Sequence, residues 1–196
     1  AGRRRFSFGN STTFTVIDAT NDSVVATIDV GTRPRGVKVS PDGKTVYVAL
    51  SGAPKCPPTM PDAECARLKA DPSKDGIAVV DVATRQTVRT FPAGLDPETF
   101  DVSPDGTRLF VSNENADSAT IVDVASGTAV ANVKVGNEPE GVALAPHGKT
   151  VWVSGEADHD ITGIDVASGK AIASIDILGK RPRGIGFLPD GSRAYV

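Results

Sequence analysis

Residues Gly136–Glu156, GNEPEGVALAPHGKTVWVSGE, read as a charged loop, a strand, a tight turn and a second strand. Close copies stand at Gly31–Ser51, Gly94–Glu114 and Gly179–Val196. The turns align at Asp42-Gly43, Asp105-Gly106, His147-Gly148 and Asp190-Gly191, each directly after a proline, Pro41, Pro104, Pro146 and Pro189. The steps between those prolines are 63, 42 and 43 residues. A second landmark, Ile17-Asp18, Val80-Asp81, Val122-Asp123 and Ile164-Asp165, steps by 63, 42 and 42. The period is therefore about 42, and one copy carries an insertion of roughly 21 residues.

A strand-rich repeat of that length marks an all-β propeller built of four-stranded antiparallel blades. In the first full copy, strand A is Gly36–Ser40, strand B Thr45–Leu50, strand C Ile77–Val82 and strand D Thr87–Phe91. The alternation in TVYVAL and KTVWVS reads as strands with one side packed. Small residues on strand A suit a crowded position near an axis. The chain, residues 1–196, is read as a single propeller domain of three full blades, from about 36 to 178, between two half blades. The leading half blade holds strands C and D, preceded by a candidate strand at Arg5–Phe8. Closing the halves on each other gives a four-bladed ring. Because the sequence stops at Tyr195-Val196 inside an apparent strand, the preferred expectation is part of a larger ring, seven-bladed, from a processed or partial chain without its leader.

Composition narrows the function. With 39% hydrophobic and 23% charged residues the chain is globular. A net charge of −3 argues against a nucleic-acid partner, which needs a basic face. The run Arg3-Arg4-Arg5 reads as a solvated end. No apolar run reaches the roughly 18 residues of a membrane span.

A four-stranded meander puts the A–B and C–D turns on one face and the B–C loops and D–A links on the other. The first face carries ordinary turn chemistry, with His147 as a solvated turn residue. The second is patterned. Its links pair like charges around a proline: Arg33 and Arg35, Asp96 and Glu98, Glu138 and Glu140, Arg181 and Arg183. The second residue of each pair enters strand A, near the channel. Two readings stay open together. Arg35 with Glu98, and Glu140 with Arg183, form ion pairs between adjacent blades; or the arginines grip a carboxylate ligand while the glutamates orient its polar groups. Glu114 and Glu156, in the B–C loops, join this candidate ligand set. Glu156, Asp158, His159 and Asp160 match no calcium-loop spacing, so no metal site is assigned. His159 is kept as a candidate axial ligand to a haem.

The insertion occupies Ser51 to Asp75, in the first B–C loop, with a short helix expected over Asp62–Lys69. Cys56 and Cys65 are the only cysteines. In an exported protein their natural use is a disulfide pinning this loop. They lack the Cys-x-x-Cys spacing and neighbouring histidine of a metal site, and the absence of Cys-x-x-Cys-His excludes covalent c-type haem. A long loop over a patterned face is a candidate lid or docking element.

The motifs SPDGKTVYVAL, SPDGTRLFVSN and APHGKTVWVSG resemble the YVTN-repeat β-propellers, relatives of the haem d1 propeller of cytochrome cd1. The order RPRG, DPE, EPEG, RPRG is similar to periplasmic propellers that accompany pyrroloquinoline-quinone-dependent alcohol oxidation. That resemblance implies a bacterial, periplasmic or extracellular accessory protein. It transfers no catalytic residue. The leading functional expectation is a non-catalytic binding or scaffold propeller serving a redox or alcohol-oxidation system. It would hold a small anionic molecule or a periplasmic redox protein and require no cofactor, with a haem-like or quinone ligand as a further option. The alternatives are a d1-haem-like or lactonase-like enzyme and a cell-surface repeat protein. No nucleophile-elbow motif is present.

Overall fold

The computed structural model of the chain describes residues 4–8, 12–54, 56, 59–65 and 67–196. Five antiparallel sheets follow one another along it. The first is three-stranded: β1 (Arg4–Phe8), β2 (Thr13–Asp18) and β3 (Ser23–Asp29). The second is β4 (Pro34–Val39), β5 (Thr45–Leu50), β6 (Gly76–Asp81) and β7 (Gln86–Phe91). The third is β8 (Pro97–Val102), β9 (Arg108–Asn113), β10 (Ser118–Asp123) and β11 (Thr128–Lys134). The fourth is β12 (Pro139–Leu144), β13 (Thr150–Gly155), β14 (Asp160–Asp165) and β15 (Lys170–Asp176). The last is β16 (Gly186–Phe187) with β17 (Ala194–Tyr195). The arrangement is that of propeller blades, and among the described residues it is an open arc rather than a closed ring. The leading sheet carries three strands because residues 4–8 pair with β2; Arg3 lies outside the described residues.

The repeated turn residues explain the repeated sheets. Two of the A–B turns are closed by a serine and an aspartate: Ser40 Oγ donates to Asp42 at 2.6 Å, and Ser103 Oγ to Asp105 at 2.6 Å. Each C–D turn hangs on the aspartate that ends strand C. Asp81 accepts from the Thr84 amide and hydroxyl, Asp123 from those of Ser126, and Asp165 from those of Ser168. Side chains that bond their own backbone fix such turns without long-range help.

Strand A lies at the hub. A Cβ on Gly36 would stand 2.9 Å from the Glu98 carbonyl oxygen, and one on Gly141 would stand 2.8 Å from that of Arg183. Strand D lies outermost, and in all four blades that have one it carries a bulge: Val25, Val88, Val130 and Ile172 are each skipped in the register with strand C. A bulge twists an edge strand away from edge-to-edge pairing.

The core is a set of layers between blades. In β5, Val46, Val48 and Leu50 pack toward the first sheet with Phe14 and Ile28. Tyr47 and Ala49 pack toward the third with Phe100 and Leu109. The alternation in TVYVAL therefore sorts residues between two buried faces, not between a packed and an open one. The reason is that each interior blade is sandwiched by neighbours.

Residues 51–75 fill the first B–C loop, between β5 and β6. The helix is shorter than the expected Asp62–Lys69. It spans Asp62–Cys65 and gives way to a turn at Arg67 and Leu68, with Ala66 outside the described residues. Four residues make one turn, too little to persist without an apolar face to bury. Cys56 and Cys65 are joined by a disulfide, with Cα atoms 5.6 Å apart.

Candidate functional site

The D–A links share one unusual backbone state. Arg33, Asp96, Glu138 and Arg181, each directly before a proline, have φ of 46°, 53°, 50° and 56°. This left-handed region is unfavourable for residues with a Cβ. What it achieves is visible two strands later. The Glu114 amide donates to the Asp96 carbonyl at 3.0 Å, the Glu156 amide to that of Glu138 at 3.0 Å, and the Ser51 amide to that of Arg33 at 3.3 Å. The twisted link thus pins the first residue of the B–C loop beside the charged pair of its own blade.

The charged side chains then bond across blades. Arg35 on β4 pairs with Glu98 on β8. Arg183 donates to Glu156 at 3.0 Å and lies 3.5 Å from Glu140. Arg181 also pairs with Glu156. Asp96 accepts from the Ser51 hydroxyl and from Asn115 Nδ2 at 2.9 Å, with Arg33 at 3.7 Å. Arg33 itself donates to Ser51 Oγ at 3.2 Å and to the Ala53 carbonyl at 3.3 Å. A parallel link lies on strand A, where Asp101 holds Lys38 at 3.1 Å and accepts from the Leu144 amide at 2.9 Å.

Burial sets the electrostatics. Asp96, Glu98, Glu140 and Glu156 are all buried. Burial pushes the Glu98 carboxyl up to about 8, helped by its hydrogen bond to Glu114 and opposed by Arg35. Burial and a hydrogen bond to Glu156 push Glu140 up to about 7, against the pull of Arg183. Asp96 is also raised by burial, against the Ser51 hydroxyl. For Glu156 burial pushes upward too, but its bonds with Glu140 and Arg183 prevail and hold it below its ordinary value. Two successive blades therefore each set two acidic side chains close together at the rim, Glu98 near Glu114 and Glu140 near Glu156. Asp96, Glu98 and Glu114 offer oxygens within 4.8 Å of one another, but Arg33 and Arg35 already pair with Asp96 and Glu98. The trio is an ion-pair cluster and no metal centre is assigned to it.

Nine of the ten candidate ligand residues thus join one charged rim. The tenth, Glu138, is on the same link pattern but exposed, and its side chain forms no ion pair or hydrogen bond among the described residues. His159 Nδ1 lies 3.0 Å from the Glu156 carbonyl oxygen and 3.2 Å from the Arg181 amide, so its ring is turned into its own loop. His147 accepts the Lys149 amide in an A–B turn. Ser51 was missed as a rim residue. The repeat held the signal for Ser51, which aligns with Glu114 and Glu156. No helix among the described residues is long and apolar enough to cross a membrane.

Comparison with known proteins follows the same lines. Residues 65–149 match the YNCE-like beta-propeller family. Hydrazine synthase of Kuenenia stuttgartiensis shares the fold with a TM-score of 0.67 and 28% identity, over 82% of this chain and 40% of that one. A functionally unknown protein from Desulfotomaculum acetoxidans DSM 771 superposes with a TM-score of 0.74 at 15% identity, over 94% of this chain and 56% of the other. The chain thus spans about half the length of these structures or less. No curated protein sequence matches it. The repeat, the fanned four-stranded sheets and these likenesses together show that the chain has the β-propeller fold.

Proposed function

We propose that the chain is part of a non-catalytic binding propeller, exported and accessory to a redox or alcohol-oxidation system. It takes a small anionic, carboxylate-bearing ligand, free or displayed by a partner protein, on the rim of D–A links and B–C loops. One observation carries the reading: buried carboxylates and solvent-reachable arginines from successive blades are gathered at a single rim, where burying the acids is expensive. Arginine forks suit bidentate capture of carboxylates. A haem-like or quinone ligand with carboxylate arms falls in the same class. The disulfide supports an oxidising compartment. The likeness to hydrazine synthase favours a second reading, in which such a propeller is a component of an enzyme.

The test is calorimetric titration of succinate into the wild-type chain and into Arg35→Ala and Arg183→Ala, with melting temperatures alongside. Binding lost in the variants, with the melting temperature moved by only a few degrees, supports a ligand site. Unchanged binding with a large thermal loss would leave these arginines as blade-to-blade ties and nothing more.

A further inference from the structure

Within the rim the arginines are not equivalently held. Arg183 stays hydrogen-bonded to Glu156, which Arg181 also contacts. Arg35 has one acidic partner, Glu98, on the neighbouring blade. The Glu98 side chain is 4% exposed and that of Arg35 24%, so the acid is sealed beneath a guanidinium that solvent can reach. We infer that Glu98 is a proton-operated gate on Arg35: with its proton in place Glu98 leaves the guanidinium free to take a carboxylate ligand, and on losing it Glu98 recaptures Arg35 and repels that ligand. The inference rests on the anion-binding reading of this rim and adds its regulation.

The surroundings fix the direction. Glu98 stands on β8 between Arg35 of β4, Glu140 of β12 and Glu114 of the loop after β9. Asp96, two residues earlier, faces Glu114, Arg33 and Arg35. One cation and two acids therefore act directly on Glu98, whose own carboxyl is sealed from solvent. A carboxyl so placed keeps its proton to about pH 8. At pH 7 Arg35 thus faces a neutral carboxyl, while above pH 8 it faces a carboxylate. An anion bound at Arg35 stabilises the protonated form of Glu98 in turn, so binding takes up protons. Glu140 and Arg183 form a second, weaker copy, because Glu156 holds Arg183 in either state.

The test uses the wild-type chain and Glu98→Gln, with succinate, which is doubly charged from pH 7 to 9, as probe. Carboxyl carbon-13 shifts follow Glu98, identified by its loss in the variant. Its titration midpoint is expected between pH 7 and 9. Wild-type affinity should fall about tenfold from pH 7 to pH 9, as the protonated fraction of Glu98 does. Heats in buffers of different ionisation enthalpy should show proton uptake at pH 8. Glu98→Gln, locked in the neutral shape, should bind equally at both pH values. A Glu98 midpoint below pH 6 overturns the gate whatever succinate does. A neutral-range midpoint with pH-independent binding also overturns it and leaves the binding face standing. No succinate binding by the wild type at either pH removes the anion-binding reading, and the gate falls with it.

Discussion

Four residues hold the left-handed conformation at equivalent points of the repeat, and three of them are bound into the rim. Arg33 reaches Ser51 and Ala53, Asp96 reaches Ser51 and Asn115, and Arg181 reaches Glu156. Backbone strain of about 1–2 kcal/mol at each persists there because the side chains are engaged. Glu138 carries the same strain at φ 50° with an exposed side chain. Glu138→Gly should therefore raise stability by about 0.5–1 kcal/mol, the relieved strain less the added freedom of glycine in the unfolded chain. Asp96→Gly relieves a similar strain yet should lose about 2 kcal/mol, because the Ser51 hydroxyl and Asn115 amide lose their acceptor. Urea denaturation of the two variants separates the cases. Equal shifts for both would mean that the rim contacts of Asp96 contribute nothing. The sequence showed the proline and the like charges around it but not this conformation, since a residue before proline ordinarily avoids helical backbone angles.

Among the elements, the inserted loop divides into a tied base and a cross-linked tip. At the base, the Asp71 amide donates to the Gly52 carbonyl at 2.9 Å and the Gly52 amide to Asp75 at 2.7 Å. The disulfide lies beyond these, between Cys56 and Cys65. Reduction should speed amide hydrogen exchange between residues 56 and 68, notably at Glu64, Cys65 and Arg67, and leave Gly52, Asp71 and the blades protected. Exchange that spreads into β5 or β6 would show that the disulfide supports the blade itself. The boundaries of this loop were legible because TVYVAL and IAVVD keep the register of their counterparts in later blades. The start of its helix at Asp62 was legible and its length was not, because Arg67, Leu68 and Lys69 are exposed and bury no apolar face. The two-sided burial of β5 was likewise hidden, because Tyr47 and Ala49 alternate with Val46 and Val48 whether the second face meets water or another blade. The candidate rim was legible as a charge pattern at a fixed step. Its burial and the closeness of Glu98 to Glu114 and Glu140 were not, because both depend on how closely strand A approaches across blades.

Across the whole molecule, two families of titrating groups pull stability in opposite directions with pH. The turn aspartates have their carboxyls lowered by serine, threonine and backbone donors: Asp42 by Ser40, Asp81 by Thr84, Asp123 and Asp165 by Ser126 and Ser168, and Asp105 by Ser103, to about 2. Each binds its proton less readily folded than unfolded. Their stabilisation is present above the unfolded value, near 3.8, and is lost as pH falls through the folded one. Glu98 and Glu140, raised by burial to about 8 and about 7, do the reverse. Their contribution is complete below the unfolded value of 4.5 and is lost as pH climbs through 7 and 8. The two trends cross where both sets are satisfied, so maximal stability should fall at about pH 4–5, below the more usual range of about pH 5–8. Because the two glutamates sit at the hub, where successive blades meet, the alkaline loss acts on the junctions between blades. The melting temperature should decline from pH 5 to pH 9 by on the order of 5–10 °C. In Glu98→Gln/Glu140→Gln, which keeps the neutral shapes at every pH, that alkaline limb should flatten while the acid limb, set by the turns on the opposite face, stays in place. A double variant with an undiminished alkaline limb would show that the rim glutamates are ionised in the folded chain at neutral pH and that the blades are joined there by ordinary ion pairs.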